Sequence, residues 1–126
     1  MFAQAPLSPS LERLATTPVL ASEMPSGFNR AKLVRLAPNE RLSTLGGVRI
    51  DFSNVHTTES ESFALLKTNA AAVLFARTEA KIGGGGLFRV RAVAVGRFVV
   101  GATGRTVAEA SNLLRLAVAH FRRAEG

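Results

Sequence analysis

The sequence predicts an α+β fold: an antiparallel sheet of about five strands with two main helices packed on one face, in the order (α)βββαββα. Three local patterns carry that prediction. Val48, Ile50 and Phe52 alternate with Arg49, Asp51 and Ser53, which is the period of a strand with one apolar side. Gly96-Arg97 separates two apolar runs by two residues with Gly first, the signature of a type II′ hairpin that sets Val95 opposite Phe98 and Val93 opposite Val100. Val107, Ala110, Leu113, Leu114, Ala117, Val118 and Phe121 recur at helical spacing behind Thr106 and Glu109, a capping box at the start of a long amphipathic helix.

Taken in chain order, residues 1–27 read as an arm. Pro6, Pro9, Pro18, Pro25 and Gly27 interrupt any long element there. One short helix fits, begun by Ser8-Pro9, with Leu11, Leu14 and Ala15 at helical spacing, and ended before Pro18. Residues 28–126 form a single α+β domain. In its first strand Leu33 and Arg35 face one way and Val34 and Leu36 the other, until Pro38-Asn39-Glu40 makes a turn. Gly46-Gly47 opens the second strand, the polar stretch Ser53 to Ser60 reads as a loop, and Ser62 to Thr68 reads as the third strand. Asn69 is placed to cap a helix over Ala70 to Lys81, which Gly83 to Gly86 stop. Strands over Phe88–Val95 and Phe98–Ala102 then precede the final helix. Val93, Ala94, Val95 and Val99 make both sides of the hairpin apolar, so the sheet needs two covers. The second is expected from the arm or from another copy of the chain, which predicts a homodimer formed through the sheet.

The 126 residues, 47% of them hydrophobic, suffice for one ordinary core. Lys and Arg number 16 against 9 Asp and Glu, a formal charge of +7. The excess gathers late, since nine of those cations lie from Arg77 onward against Glu79, Glu109 and Glu125 alone. An anionic partner suits that balance. Cysteine is absent, which excludes a disulfide framework, a thiolate nucleophile and thiolate metal ligands. Arg89, Arg91 and Arg97 break the most apolar stretch, so a soluble chain is expected; Ala3-Gln4-Ala5 resembles the end of an export signal without the regions that precede one.

The best-placed small motif is Gly101-Ala102-Thr103-Gly104-Arg105-Thr106, because it joins a strand to a helix N-terminus, where free N–H groups favour an anion. Gly104, Arg105 and Thr106 are its candidate residues, and Glu109 is expected to compete for the same N–H groups. It lacks the spacing and the Lys of a nucleotide loop. A second candidate is a basic sheet face gathering Arg49, Lys67, Arg89 and Arg91, with Phe63 and Phe98 as the rings available for base stacking in a chain without Tyr or Trp. Catalytic readings are thinner. His56 with Asp51 is the leading acid–base pair, with Ser53, Ser60 and Ser62 nearby but no strained nucleophile turn. Glu59 and Glu61 point the same way on an extended segment, with no apolar pocket apparent to raise either pKa, and His120 reads as structural. No motif calls for a metal or a cofactor. The sequence therefore favours a non-catalytic ligand- or partner-binding domain, ahead of a nucleic-acid or polyanion binder and a small enzyme with a pocket between sheet and helices.

Overall fold

The computed structural model of the chain describes residues 8–82 and 88–125. Ala3-Gln4-Ala5 and Gly83 to Gly86, each given a reading from sequence, lie outside them. The elements are α1 (Pro9–Thr16), β1 (Arg30–Leu36), β2 (Thr44–Ser53), β3 (Thr58–Leu66), α2 (Asn69–Ile82), β4 (Arg89–Val95), β5 (Phe98–Gly104) and α3 (Val107–Glu125), with 3₁₀ turns at Ala21–Glu23 and Glu40–Leu42. Fold class and element order are those predicted. The sheet runs β1-β2-β3-β5-β4 with every pairing antiparallel, so β1 and β4 are its edges. None of the described helices is long and apolar enough to cross a membrane.

Local chemistry explains the boundaries. Ser8 Oγ accepts the Leu11 N–H at 3.3 Å, and Pro9 occupies the first helical position, where no N–H is needed. Gly96 supplies the positive φ, 61°, that the first central residue of the hairpin turn requires; the register then pairs Val95 with Phe98 and Val93 with Val100, as read from sequence. Thr68, one residue before the expected Asn69, caps α2, its Oγ1 accepting the Ala71 N–H at 3.0 Å. Half of the stretch read as a loop is sheet. Thr58 already pairs with Ser53, leaving residues 54–57 as the turn, where Asn54 Oδ1 accepts the N–H groups of His56 and Thr57 at 2.8 and 2.9 Å. Its alternation is carried by Glu59 and Glu61 against Thr58, Ser60 and Ser62, which a search for apolar residues passes over.

The two main helices do not share a face. Val48, Ile50, Phe52, Phe63, Val100 and Ala102 form the principal core with Leu11 and Leu14 of α1 and with Leu113, Ala117 and Phe121 of α3. Side chains one residue out of step, Ala64, Ala92, Ala94 and Val99, pack instead against Ala71, Ala72, Phe75 and Ala76 of α2. The expectation of both helices on one face is thus corrected, and the second cover demanded by the two-sided β4–β5 hairpin is α2 of the same chain. The alanine-rich inner side of α2 is what permits it, because the reverse of β4 and β5 presents small residues.

The buried side of α3 is also turned from the predicted stripe: Leu116, His120 and Ala124 are inside, Leu114 and Val118 are half-buried, and Val107 is exposed. The arm causes the turn. With α1 and the Ala21–Glu23 turn leaning on the Leu116–His120 flank, burial spreads toward that side. Gly104 closes β5 against α3 so tightly that a Cβ there would lie 2.5 Å from Ala110 N and 2.9 Å from the carbonyl carbon of Glu109. Gly104→Ala is expected to cost about 1–3 kcal/mol in urea unfolding, because backbone on both sides must move. A loss within about 0.5 kcal/mol, the range of ordinary surface changes, contradicts that close approach.

Candidate functional site

A groove runs between the β4 edge and α3. Its floor is Val93, Leu114, Val118 and Ala119, its rim Arg91, Arg115 and Arg122, and its volume about 660 Å³. Helical spacing aligns Ser111, Leu114, Arg115, Val118 and Arg122 along the side of α3 that faces away from the arm, so cations and apolar groups interleave there. Arg115 donates to Asn112 Oδ1 at 2.8 Å. Among the described residues no acidic side chain lines the groove. As the outermost strand, β4 also presents its outward N–H and C=O groups to whatever approaches.

The sequence-level candidates separate. Arg91 reaches the groove, and Arg89 shares its side of β4. Arg49 does not join them: it pairs across the sheet with Ser62 and Val34, one step out of phase with the row that holds Arg91, Ala102, Glu61 and Ile50. Two faces therefore divide the expected basic surface. Arg49 is held by Asp51 through Nε at 2.8 Å and Nη2 at 3.2 Å, and Asp51 also accepts the Ser60 hydroxyl at 2.6 Å. Burial raises the Asp51 pKa, but those two partners outweigh it and hold it below the usual value. Lys67 pairs with Glu40 at 3.3 Å. Phe63 and Phe98 belong to the core, the latter tilted against Phe121 with ring centroids 4.9 Å apart.

At the start of α3, Thr106 caps the helix by accepting the Glu109 N–H at 3.1 Å, while Glu109 accepts the Arg105 N–H at 3.0 Å and pairs with the Arg105 guanidinium at 3.5 Å. Glu109 thus occupies the place an anion would take, and Gly104 serves close packing. Beside it a polar pocket of about 250 Å³ is lined by Asn54, Glu59, Arg105, Glu109 and Asn112. Burial and the Glu109 carboxylate raise the Glu59 pKa; Glu109, despite some burial, is held low by the Arg105 N–H, by Glu59 and by the Arg105 charge. His56 is exposed in the β2–β3 turn, while Asp51 is engaged on the sheet, so the proposed acid–base pair does not assemble.

The reading of Glu61 as lacking an apolar pocket is overturned. Both Glu61 and His120 are fully buried, and neither Glu61 oxygen nor His120 Nε2 has a hydrogen-bond partner among the described residues. On the other side of His120, Nδ1 lies 3.2 Å from Glu23 Oε1, and Arg123 grips the same carboxylate through Nε at 2.8 Å and Nη2 at 2.7 Å. The Arg123 partnership, aided by the Leu20 N–H and opposed by burial, lowers the Glu23 pKa to about 2. Burial first, and the Glu23 charge second, push Glu61 up to about 8. In sequence Glu61 stands two places from Phe63 on a strand, and that alternation is the signal that could have marked it as inward-facing.

Comparison with family models, curated proteins and solved structures returns no match, so no relative lends this chain a function.

Glu61 binds its proton more tightly in the folded chain, near pH 8, than at its ordinary 4.5, so stability is expected to fall as pH rises between those values. One such group contributes a slope of about 1.4 kcal/mol per pH unit. Glu23 acts oppositely, its contribution present above 4.5 and lost as pH falls toward 2. Urea unfolding from pH 5 to 8 is expected to show declining stability, with Glu61→Gln removing about one proton's worth of slope; an unchanged slope in the variant refutes the assignment.

Proposed function

We propose that this is a non-catalytic binding domain whose β4 edge and α3 groove receive an extended, acidic chain segment. One observation carries the reading: Arg91, Arg115 and Arg122 converge on an apolar trough, without a competing carboxylate, beside a strand edge that offers hydrogen bonds. An added strand satisfies the edge, and its alternate side chains fall toward α3, where acids meet the rim and apolar groups the floor. Partly desolvated charges give such a contact specificity and on-rate. Nucleic acid suits the charge but finds no exposed pair of rings to stack on beside this groove, since Phe98 and Phe121 pack on each other.

Self-association through the sheet is a second reading, supported by one feature of β4. An antiparallel pairing of two copies centred on Ala92 sets Arg91 opposite Val93 and Arg89 opposite Val95, so no two arginines meet directly. It still brings the rim arginines of both copies together, which favours the acidic partner.

The test uses a fluorescent decapeptide of alternating Glu and Val, with a Gln/Val peptide as control. Binding to the Glu peptide is expected to weaken as salt rises, and to weaken about tenfold, some 1.4 kcal/mol, in Arg91→Glu/Arg122→Glu. Equal binding of both peptides, or indifference to the charge reversals, overturns the proposal. Light scattering on the free protein distinguishes the second reading by showing a dimer that the same reversals alter.

A further inference from the structure

The segment from Thr17 to Asn29 is a strap. It joins α1, whose Leu11 and Leu14 are locked in the core, to β1, and it contains only the short turn Ala21–Glu23 between Pro18 and Pro25. Its hold on α3 is concentrated in one cluster. Arg123 Nη2 donates to the Pro18 carbonyl and, with Nε, to Glu23; His120 Nδ1 meets Glu23 from the same helix. Val19, Met24 and Phe28 add only partly buried packing.

Behind that cluster stands a second carboxylate. Glu61 projects from β3 into the face shared with Phe63, and Phe63 lies 5.8 Å from the His120 ring, centroid to centroid. The Glu23 charge from the turn acts on Glu61, and Glu23 in turn meets His120 and Arg123 of α3; Glu59 stands two residues before Glu61 on its own strand, while β2 and β5 place Ile50 and Ala102 directly across from it. The charges of α1 are engaged elsewhere, Glu12 with Arg35 at 3.2 Å and Arg13 with Glu125 at 3.8 Å. With Glu61 protonated, the cluster is electrically balanced, Glu23 against Arg123. Without that proton, two buried carboxylates confront one partly exposed guanidinium.

We infer that the strap is a proton-operated latch: a proton held on the buried Glu61 carboxyl keeps Glu23 docked on Arg123, and its release drives Glu23, and the strap with it, out of the core face. Glu61 and Arg123 are fixed in a strand and a helix, whereas Glu23 is carried on a short turn between two prolines, so the repulsion is relieved by moving the strap. The direction follows from charge alone: the latch is shut under neutral and mildly acidic conditions and opens in the alkaline range. Opening uncovers the flank of α3 around Leu116 and His120, far around the helix from the arginine-rimmed groove, so the device is independent of the function proposed for that groove.

Hydrogen exchange of the whole protein at pH 6.5 and pH 9, with rates corrected for intrinsic pH dependence, reads the latch. Protection of residues 17–28 is expected to fall at least tenfold at pH 9, and by more than any fall in β5, which reports global opening. In Glu61→Gln, which mimics the protonated carboxyl, strap protection is expected to be the same at both pH values. Should that variant fail to fold, Glu23→Gln serves instead, giving a strap less protected at pH 6.5 and insensitive to further alkalinity. Unchanged strap protection in the wild type, a fall that merely tracks β5, or a full pH response surviving in either variant overturns the inference.

Discussion

The seating of α3 on one face of the sheet is the constraint from which the other features follow. Leu113, Ala117 and Phe121 meet Val100, Phe63 and their neighbours in the larger core, and Gly104 lets the helix start almost in contact with the end of β5. A helix covers only a strip of a five-stranded sheet, and each margin of that strip has a different fate. Toward β2 the margin is filled by α1, whose two leucines are fully buried. Toward β4 none of the described residues fills it, and there the arginine-rimmed groove lies. Both candidate devices are thus consequences of where one helix sits.

The polar residues gathered around α3 divide by depth. Near the surface, arginines on the β4 side stand over apolar floor atoms, an arrangement whose strength depends on salt and on the partner's charge. Deeper in, Glu23 and Glu61 are buried carboxyl groups, the first gripped by the partly exposed Arg123, so a single proton on Glu61 decides whether the cluster is balanced. The first suits recognition and the second suits response to conditions. The reverse face is simpler, since α2 lays alanines and one phenylalanine on small sheet residues and, among the described residues, adds no buried charge.

What the sequence revealed, and what it hid, follows from the range of the forces involved. Caps, the Gly96 turn and the alternation of Val48, Ile50 and Phe52 are local, and each marked its element to within a residue or a few. The assignment of helices to faces is not local: it depends on which parity of β4 and β5 meets which helix, and both parities are apolar. Arg49 was grouped with Arg89 and Arg91 because strand register was unknown, and a one-residue offset sends it to the other face. Glu61 was hidden for a different reason. Its burial depends on the strap and on α3, elements far apart in sequence, and a carboxylate at an inward position resembles a loop residue until those elements close over it.

If the seating of α3 is the foundation, the two covers should differ in strength. The α3 side buries phenylalanines, leucines and valines, each contributing about 1.5–3 kcal/mol, whereas the α2 side rests chiefly on alanine methyls and leaves Val73 and Leu74 exposed. Native-state hydrogen exchange across a urea series measures this directly. The account expects α2 amides to open at lower free energy than those of α3 and β5, which exchange together and only with global unfolding. Opening of α3 ahead of α2, or apart from β5, contradicts it.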